Sequence, residues 1–421
     1  MLCIAGMTAF RAVAAANEAW KLTVPNTMYD HPEPVNLPEL MKTADGQSVS
    51  TVEKWERIRR PEILRFFTEN MLGVRPVERP ADLKFERLEK DRTLLSGKVV
   101  RKRVKASFSG PYASASFNFA AFIPATATPS SPAPAFILFC NRALEKLVDL
   151  DLENPSGFFP VEKLADRGYA IIVFRNTAIA NDGYSPKYGE VGTAMFQDPD
   201  FTDLADGVYA CWAPKRTQTS WSAISAWAWG MSRIMDWVET EPTLNKGRIA
   251  VVGHSRGGKT ALWAAASDTR FAMACVNNSG CCGAKLNHAA VSLSETIQQD
   301  NNNNPNWFCR EFRKFNGRDA YLPFDQHWMA ALVAPRLLYI ASAAYDYASG
   351  PWGEFLTARH ASPAWELYGC RGLVEDHPYR IASPFHVGSI GYHLRDGVHD
   401  LNLYDWNCYM DFADRHGWRS R

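Results

Sequence analysis

The sequence predicts an α/β protein built on a doubly wound, mostly parallel sheet with an antiparallel edge, and three observations lead there. Short apolar runs, Ala135 to Cys140, Tyr169 to Phe174, Ile249 to Val252, Phe271 to Val276 and Leu337 to Ala341, read as buried strands. Helix-compatible stretches stand between them, as the right-handed crossovers of a parallel sheet require. Ahead of them, Leu83 to Pro124 alternates apolar and polar residues, and Ser107 to Ile123 gives the hairpin-like strands of an antiparallel edge. Arg175 to Ser220 is a long polar and aromatic loop inside this pattern, and a loop that long in a compact fold is usually functional.

The elements follow in order. Met1 to Ala16 ends in an Ala-x-Ala-like run but lacks a basic start and carries Arg11 in its apolar part, the pattern of a weak or truncated export signal. From residue 17 to about 52 the chain is polar and rich in proline (Pro25, Pro32, Pro34, Pro38), which reads as an extended leader over the body. Val52 to Met71 then sets Trp55, Ile58, Ile63, Leu64, Phe67 and Met71 near helical spacing, and Pro61 is expected to kink or divide that helix. A Pro/Ser/Thr/Ala-rich linker, Ala125 to Pro134, leads into the parallel strands, and a helix ends near Gly168. Trp221 to Val238 is a strong helix. Asp300 to Asn306 lies in a second insertion, expected beside the first over the carboxyl ends of the strands, and Leu401 to Phe412 reads as the closing helix. No internal repeat is found, and residues 17–421 are expected to form a single domain.

Composition narrows the functional classes. Apolar residues make up 46% and charged residues 22%, enough for a large core and without the signature of disorder. The net charge of +1 has no long basic run behind it, which argues against a nucleic-acid partner. Arg101 to Lys105 (RKRVK) is the nearest approach and is expected to be a solvated strand face. Nine cysteines follow no metal-binding spacing, so no metal is expected. No stretch of about 18 apolar residues exists to span a membrane. Most of the 14 tryptophans should be core, with some available to stack on sugars.

The chemistry concentrates in Arg248 to Ala266, RIAVVGHSRGGKTALWAAA, which reads as strand, sharp turn and helix in succession. A serine on such a turn is strained and exposed, and the residues two before and two after it must be small for strand and helix to approach. Gly253 and Gly257 flank Ser255 at those positions. This is the nucleophile elbow of the α/β-hydrolase fold. Lys259, four residues on, lies on the same helix face, where a cation opposes the helix dipole and so points to a polar ligand.

A serine hydroxyl needs a general base, itself oriented by an acid, and in α/β-hydrolases the chain order is Ser, acid, His. His399, in a turn just before the closing helix, sits where the last loop of the fold carries its base. The first carboxylate beyond Leu337 to Ala341 is Asp346, the first choice for the acid. Glu354 and Asp400 are the alternatives, each expected to be a solvated loop charge.

These segments, with WAWGMSRIMDWVE (227–239), NSGCCGA (278–284), WFC (307–309) and YHLRDGVHDLNLYDW (392–406), make the chain resemble the bacterial glucuronoyl esterases of carbohydrate esterase family 15. The resemblance covers roughly residue 30 to the C-terminus. It implies Ser255 as nucleophile, His399 as base, Arg256 as the oxyanion-stabilising residue, and Lys259 and Glu295 as ligands of a glucuronate. Many members carry the triad acid in a Glu-Ser-Gly segment that here reads Asn278-Ser279-Gly280, while some bacterial members use an aspartate at the place of Asp346. The family tryptophan two residues after that aspartate is replaced by Ala348, which makes Trp352 the candidate for sugar stacking. The implied reaction is cofactor-free hydrolysis of an ester between 4-O-methyl-glucuronic acid branches of glucuronoxylan and a lignin alcohol, by a secreted or periplasmic monomer. Another carbohydrate esterase, such as an acetyl-xylan esterase or deacetylase, and a non-catalytic carbohydrate-binding relative are the alternatives.

Overall fold

A computed structural model describes residues 31–142, 157–182, 207–212, 216–289, 291 and 293–419. The expected export segment, and residues 183–206 and 213–215 of the first insertion, lie outside them. Ten strands form one sheet: β1 (Lys84–Arg87), β2 (Arg92–Leu94), β3 (Val99–Ser109), β4 (Ser114–Pro124), β5 (Ala133–Cys140), β6 (Ala170–Arg175), β7 (Leu244–His254), β8 (Met273–Asn277), β9 (Leu337–Ala343) and β10 (Ile390–Arg395). Their order is β1-β3-β4-β6-β5-β7-β8-β9-β10, with β2 paired to β3. The strands from β6 to β10 run parallel and those on the β1 side are antiparallel. This is the α/β-hydrolase arrangement the sequence predicts.

The parallel strands are apolar on both sides because helices cover both faces. On one face α1 (Ala223–Val238) and α2 (Arg256–Ser267) pack Trp227, Trp229, Leu262 and Trp263 against the sheet. On the other, α3 (Leu403–Arg415) brings Trp406, Tyr409 and Phe412 onto Phe136, Ile171 and Val252. Each fully buried side chain of this size contributes about 1.5–3 kcal/mol.

Three features differ from expectation. Pro61 does not divide its helix: residues 52–72 run on through two π-helical segments, Trp55–Arg59 and Thr68–Leu72. Arg60 N–H reaches back five residues to Trp55 O, so the proline, which has no N–H, falls where the bonding pattern changes from π to α. The Arg101 to Lys105 face is not simply solvated, since Arg101 is 3% exposed and pairs with Glu89 at 2.7 Å, and Lys102 pairs with Glu241 at 2.8 Å. The last strand, β10, escaped the apolar pattern because it carries Gly391, His393 and Arg395; the two charged-type side chains are buried on it against Asp405.

The leader behaves as a strap. His31 stacks on Trp352, Pro32 O accepts from the Trp352 indole at 3.0 Å, and Pro38 O accepts from Trp328 at 3.2 Å, with the His327 ring nitrogen at 3.0 Å from the same oxygen. The two insertions also meet, with Asn306 donating to Asn181 O at 2.9 Å and Trp307 to Asp182 at 3.1 Å.

The elbow shows why the flanking glycines are needed. A Cβ on Gly253 would stand 1.9 Å from Gly257 O, and one on Gly257 would stand 2.4 Å from the Phe139 ring. Both separations are impossible without moving strand from helix. Gly253→Ala should therefore cost at least about 1–3 kcal/mol of stability, the usual range for overpacking, read from the urea midpoint of unfolding; a midpoint equal to wild type would show that the elbow has slack.

Candidate active site

Ser255 lies between β7 and α2 at φ 59° and ψ −126°, a left-handed conformation for a residue that is not glycine. Such a conformation costs on the order of 1–3 kcal/mol and persists only where its surroundings enforce it. Here Ser255 N–H donates to Asn277 O at 2.9 Å, and Ser255 O accepts from Gly258 N–H at 2.8 Å. The elbow thus tethers the serine to the neighbouring strand β8 on one side and to the first helical turn on the other.

The predicted base and acid are in contact. His399 Nδ1 lies 2.6 Å from Asp346 Oδ2, with the imidazole 43% exposed and the carboxylate 4%. Asn278 donates to the same Asp346 oxygen at 2.7 Å. Burial alone would raise Asp346, but the hydrogen bond and charge of His399, with donors from Ser349 and Asn278, outweigh it and hold the carboxyl below its usual range. The His399 ring stands over the elbow, its centroid 4.3 Å from that of His254, the residue before the serine. His254 is pushed down to about 3, first by burial and then by His399, so it stays neutral, and its Nδ1 meets Asn277 Oδ1 at 2.7 Å.

Arg256, the next residue in the chain, is anchored rather than swinging free. Its Nε donates to Asp182 Oδ2 at 2.7 Å, and Asp182 also accepts from Asn176 at 2.7 Å and Trp307 at 3.1 Å. The Arg256 guanidinium and the Lys259 ammonium each lie 5.7 Å from the Trp307 ring centroid, within cation–π range. Two cations and an aromatic ring therefore converge beside the serine.

Lys259 has a different set of partners from the one expected. It is 4% exposed and its Nζ donates to Ser279 O at 2.7 Å and Cys281 O at 2.6 Å, with Asp300 at 3.4 Å. The two carbonyls take two of the ammonium's three protons and Asp300 Oδ2 is a charge partner without a hydrogen bond, so Lys259 is first an internal cation. Burial acts to lower it, but the negative charges of Asp300 and Glu295 win and raise it. Asp300 is itself pushed up to about 6 by burial, against that ammonium. Cys281, Cys282 and Asp300 bring ligand-type atoms within 4.8 Å of one another, a cluster that sequence spacing does not reveal. The Lys259 ammonium lies 3.4 Å from the Asp300 member of this cluster. Glu295 is half-buried, with its backbone N–H on Ala348 O at 2.9 Å and its carbonyl on the Lys285 ammonium at 2.6 Å.

Trp352 is not available for sugar stacking. His31 stacks on it at 4.2 Å and Phe355 at 5.2 Å, and its N–H is spent on Pro32 O. The segment that covers it, residues 31 and 32, lies more than 300 residues away in the sequence. Glu354 is also misjudged as a solvated charge: it sits in a helix (Pro351–Ala361) at 0% exposure. Its Oε1 accepts from Ser279 N–H at 2.7 Å, Gly280 N–H at 2.9 Å and Ser279 Oγ at 3.0 Å, and Oε2 accepts from Ser342 at 2.6 Å. Asp400 is half-buried and paired with Arg142 at 2.7 Å.

The residues that sequence reasoning missed are Asp182, Trp307, His254 and Glu354. Asp182 was within reach, because it is the first carboxylate beyond β6, the same rule that found Asp346 after β9. His254 and Glu354 gave no such signal, since their roles depend on partners on other strands.

Fold and site together define a carboxylic ester hydrolase of the α/β-hydrolase class. The family model for fungal glucuronyl esterases matches residues 113–369. A carbohydrate esterase of unknown prokaryotic origin is 34% identical over 394 residues, 90% of this chain and 89% of the relative. The 4-O-methyl-glucuronoyl methylesterase of Schizophyllum commune is 28% identical over 89% of this chain and 83% of its own. The solved glucuronoyl esterase from Solibacter usitatus superposes with a TM-score of 0.79 at 32% identity, covering 91% of this chain and 98% of that one. The chain belongs to the glucuronoyl esterase family.

Two consequences of the geometry can be measured. Asp346→Asn removes the charge beside His399 Nδ1 and permits the wrong tautomer, so kcat should fall by up to about 10⁴-fold, as in the serine-protease triad; a loss under tenfold would transfer the role to another carboxylate. Glu354 is pushed up to about 7, chiefly by burial and against its four donors, from 4.5 for a free glutamate. The folded state therefore binds this proton more tightly, and the stability it contributes is complete below pH 4.5 and lost as pH rises through 7. Wild type should lose about 3 kcal/mol relative to Glu354→Gln across that window, from about 1.4 kcal/mol per unit; parallel urea-unfolding curves of the two proteins at pH 4.5 and 7.5 would refute it.

Proposed function

We propose that this chain hydrolyses the ester between the carboxyl group of a 4-O-methyl-glucuronic acid branch of glucuronoxylan and a lignin alcohol. The observation that carries the reading is the Asp346–His399 contact of 2.6 Å standing over the Ser255 elbow. Ser255 Oγ attacks the uronate carbonyl and His399 takes its proton. Asp346 stabilises the imidazolium that results. Negative charge then develops on the carbonyl oxygen, next to the anchored guanidinium and backbone N–H of Arg256. His399 returns the proton to the leaving alcohol, and water resolves the acyl-enzyme with His399 again as base.

The uronic acid carries the specificity in this scheme, because the alcohol leaves towards solvent. Lys259 and Glu295 are proposed to meet its hydroxyls, with the sugar displacing one of the acceptors that Lys259 now holds. Trp352 is covered, and Trp307, the ring beside the two cations, is buried to the same degree at 8% exposure, so the grip on the uronic acid rests on polar side chains. The enzyme acts without a cofactor, as an exported monomer with neither nucleic acid nor membrane as partner. No helix among the described residues is long and apolar enough to cross a membrane.

The test compares wild type and Ser255→Ala on benzyl glucuronate and on acetylated xylan. Wild type should turn over the glucuronate ester, and Ser255→Ala should lose at least about 10⁴-fold in kcat while unfolding at the wild-type temperature, since removing a triad nucleophile has effects of that size. A fluorophosphonate should label wild type and spare the variant. Faster release of acetate than of benzyl alcohol would redirect the reading to an acetyl esterase, and unlabelled wild type would redirect it to a binding protein.

A further inference from the structure

His399 sits on a turn with little of its own to hold it. Asp396, Val398 and His399 are exposed, Val398 by 48%, and the turn is closed at its base by Tyr345 N–H on Gly397 O at 2.9 Å. A hydrogen bond to Asp346 fixes the imidazole only if the backbone beneath it is also fixed. That backbone is gripped from inside by one side chain.

Arg395, the last residue of β10, is 4% exposed. Its Nη2 donates to Val398 O at 3.0 Å and to Asp400 O at 2.9 Å, the carbonyls on either side of His399. Nη1 lies 3.4 Å from Asp396 O, and Nε donates to Asp405 Oδ1 at 3.2 Å. Asp405 in turn is fully buried, accepts from Asn402 N–H at 2.8 Å in the capping box of α3, and meets His393 Nε2 at 2.9 Å. The guanidinium is thus bound at its root to a fixed helix end and presents its planar fork to the turn.

We propose that Arg395 is a positioning residue for the esterase reaction: it clamps the two peptide carbonyls that flank His399 and so holds the imidazole between Asp346 and Ser255. The proposal rests on His399 as the base. A lysine could not replace it, because a single ammonium lacks the flat, multi-donor geometry that reaches Asp405 and both carbonyls together. Gly397 is part of the same fit. Its φ is 137°, and a Cβ there would stand 2.4 Å from Arg395 Nη1. The turn can close over the guanidinium only with glycine at that position.

The experiment uses the full chain with Arg395→Lys, Arg395→Ala, Gly397→Ala and His399→Ala, assayed on benzyl glucuronate across pH. Arg395→Lys and Gly397→Ala should lower kcat on the order of 10–100-fold, the cost of a small misplacement of a catalytic group, while KM stays within about twofold. The acidic limb of kcat/KM should move to lower pH in Arg395→Lys, because a loosened Asp346 contact supports the imidazolium less well. Lysine keeps the positive charge, so a shift in that variant reports positioning rather than loss of a cation. Added guanidinium ion should restore part of the rate to Arg395→Ala, whose cavity matches it. If the Arg395 variants do not fold, Gly397→Ala, made on the half-buried turn, still reports on the clamp. Wild-type kcat in Gly397→Ala and Arg395→Lys, or an upward limb in Arg395→Lys, overturns the proposal. Turnover by His399→Ala would overturn the base assignment as well, whereas an inactive His399→Ala beside active Arg395 variants overturns the clamp alone.

Discussion

The whole site depends on one close approach, that of β7 to α2 at the elbow. Gly253 lets the end of β7 lie against the first turn of α2, Gly257 lets that turn lie on the Phe139 ring of β5, and the backbone between them takes a left-handed turn at Ser255. That turn lifts the serine out of the sheet and puts Arg256 at the start of the helix. The next strand is recruited to hold the strain, because Asn277 O takes the serine N–H. Everything else in the centre is arranged around a nucleophile whose position is set by packing rather than by its own side chain.

Beneath the elbow the protein keeps charge in a nearly dry place, and it does so by giving each charge several short partners. Lys259 is surrounded by peptide oxygens of the 279–281 turn and by Asp300, while Glu354 gathers N–H groups of the same turn from below. One small loop, Asn278 to Cys281, is therefore held by an ammonium through its carbonyls and by a carboxyl group through its N–H groups. Its first residue, Asn278, donates to Asp346. Support for the acid of the catalytic pair passes from the buried charges through this loop, so the floor of the site is a polar lattice rather than an apolar core.

The fold was legible where it rests on apolar runs: five parallel strands, the antiparallel edge and the long helices follow from β-branched and alternating patterns. It was illegible at β10, whose buried His393 and Arg395 look like surface residues until Asp405 is placed beside them. The elbow at Ser255 and the contact of Asp346 with His399 were readable because chain order and strand ends constrain a hydrolase site. Substrate-side residues were harder, because exposure decides them and a sequence does not show what covers a side chain. Trp352 failed for that reason and Trp307, a plausible core residue by composition, was passed over.

The strap over the N-terminal part of the body gives a last consequence. Its carbonyls at Pro32 and Pro38 satisfy the indole N–H groups of Trp352 and Trp328, and His31 covers a ring face. A protease that cut within residues 31–50 would expose the Trp352 and Trp328 rings and leave their N–H donors unpaired. Damage of that kind is paid in aggregation rather than in turnover. Any fusion partner joined ahead of this segment should leave the stretch from His31 onward intact.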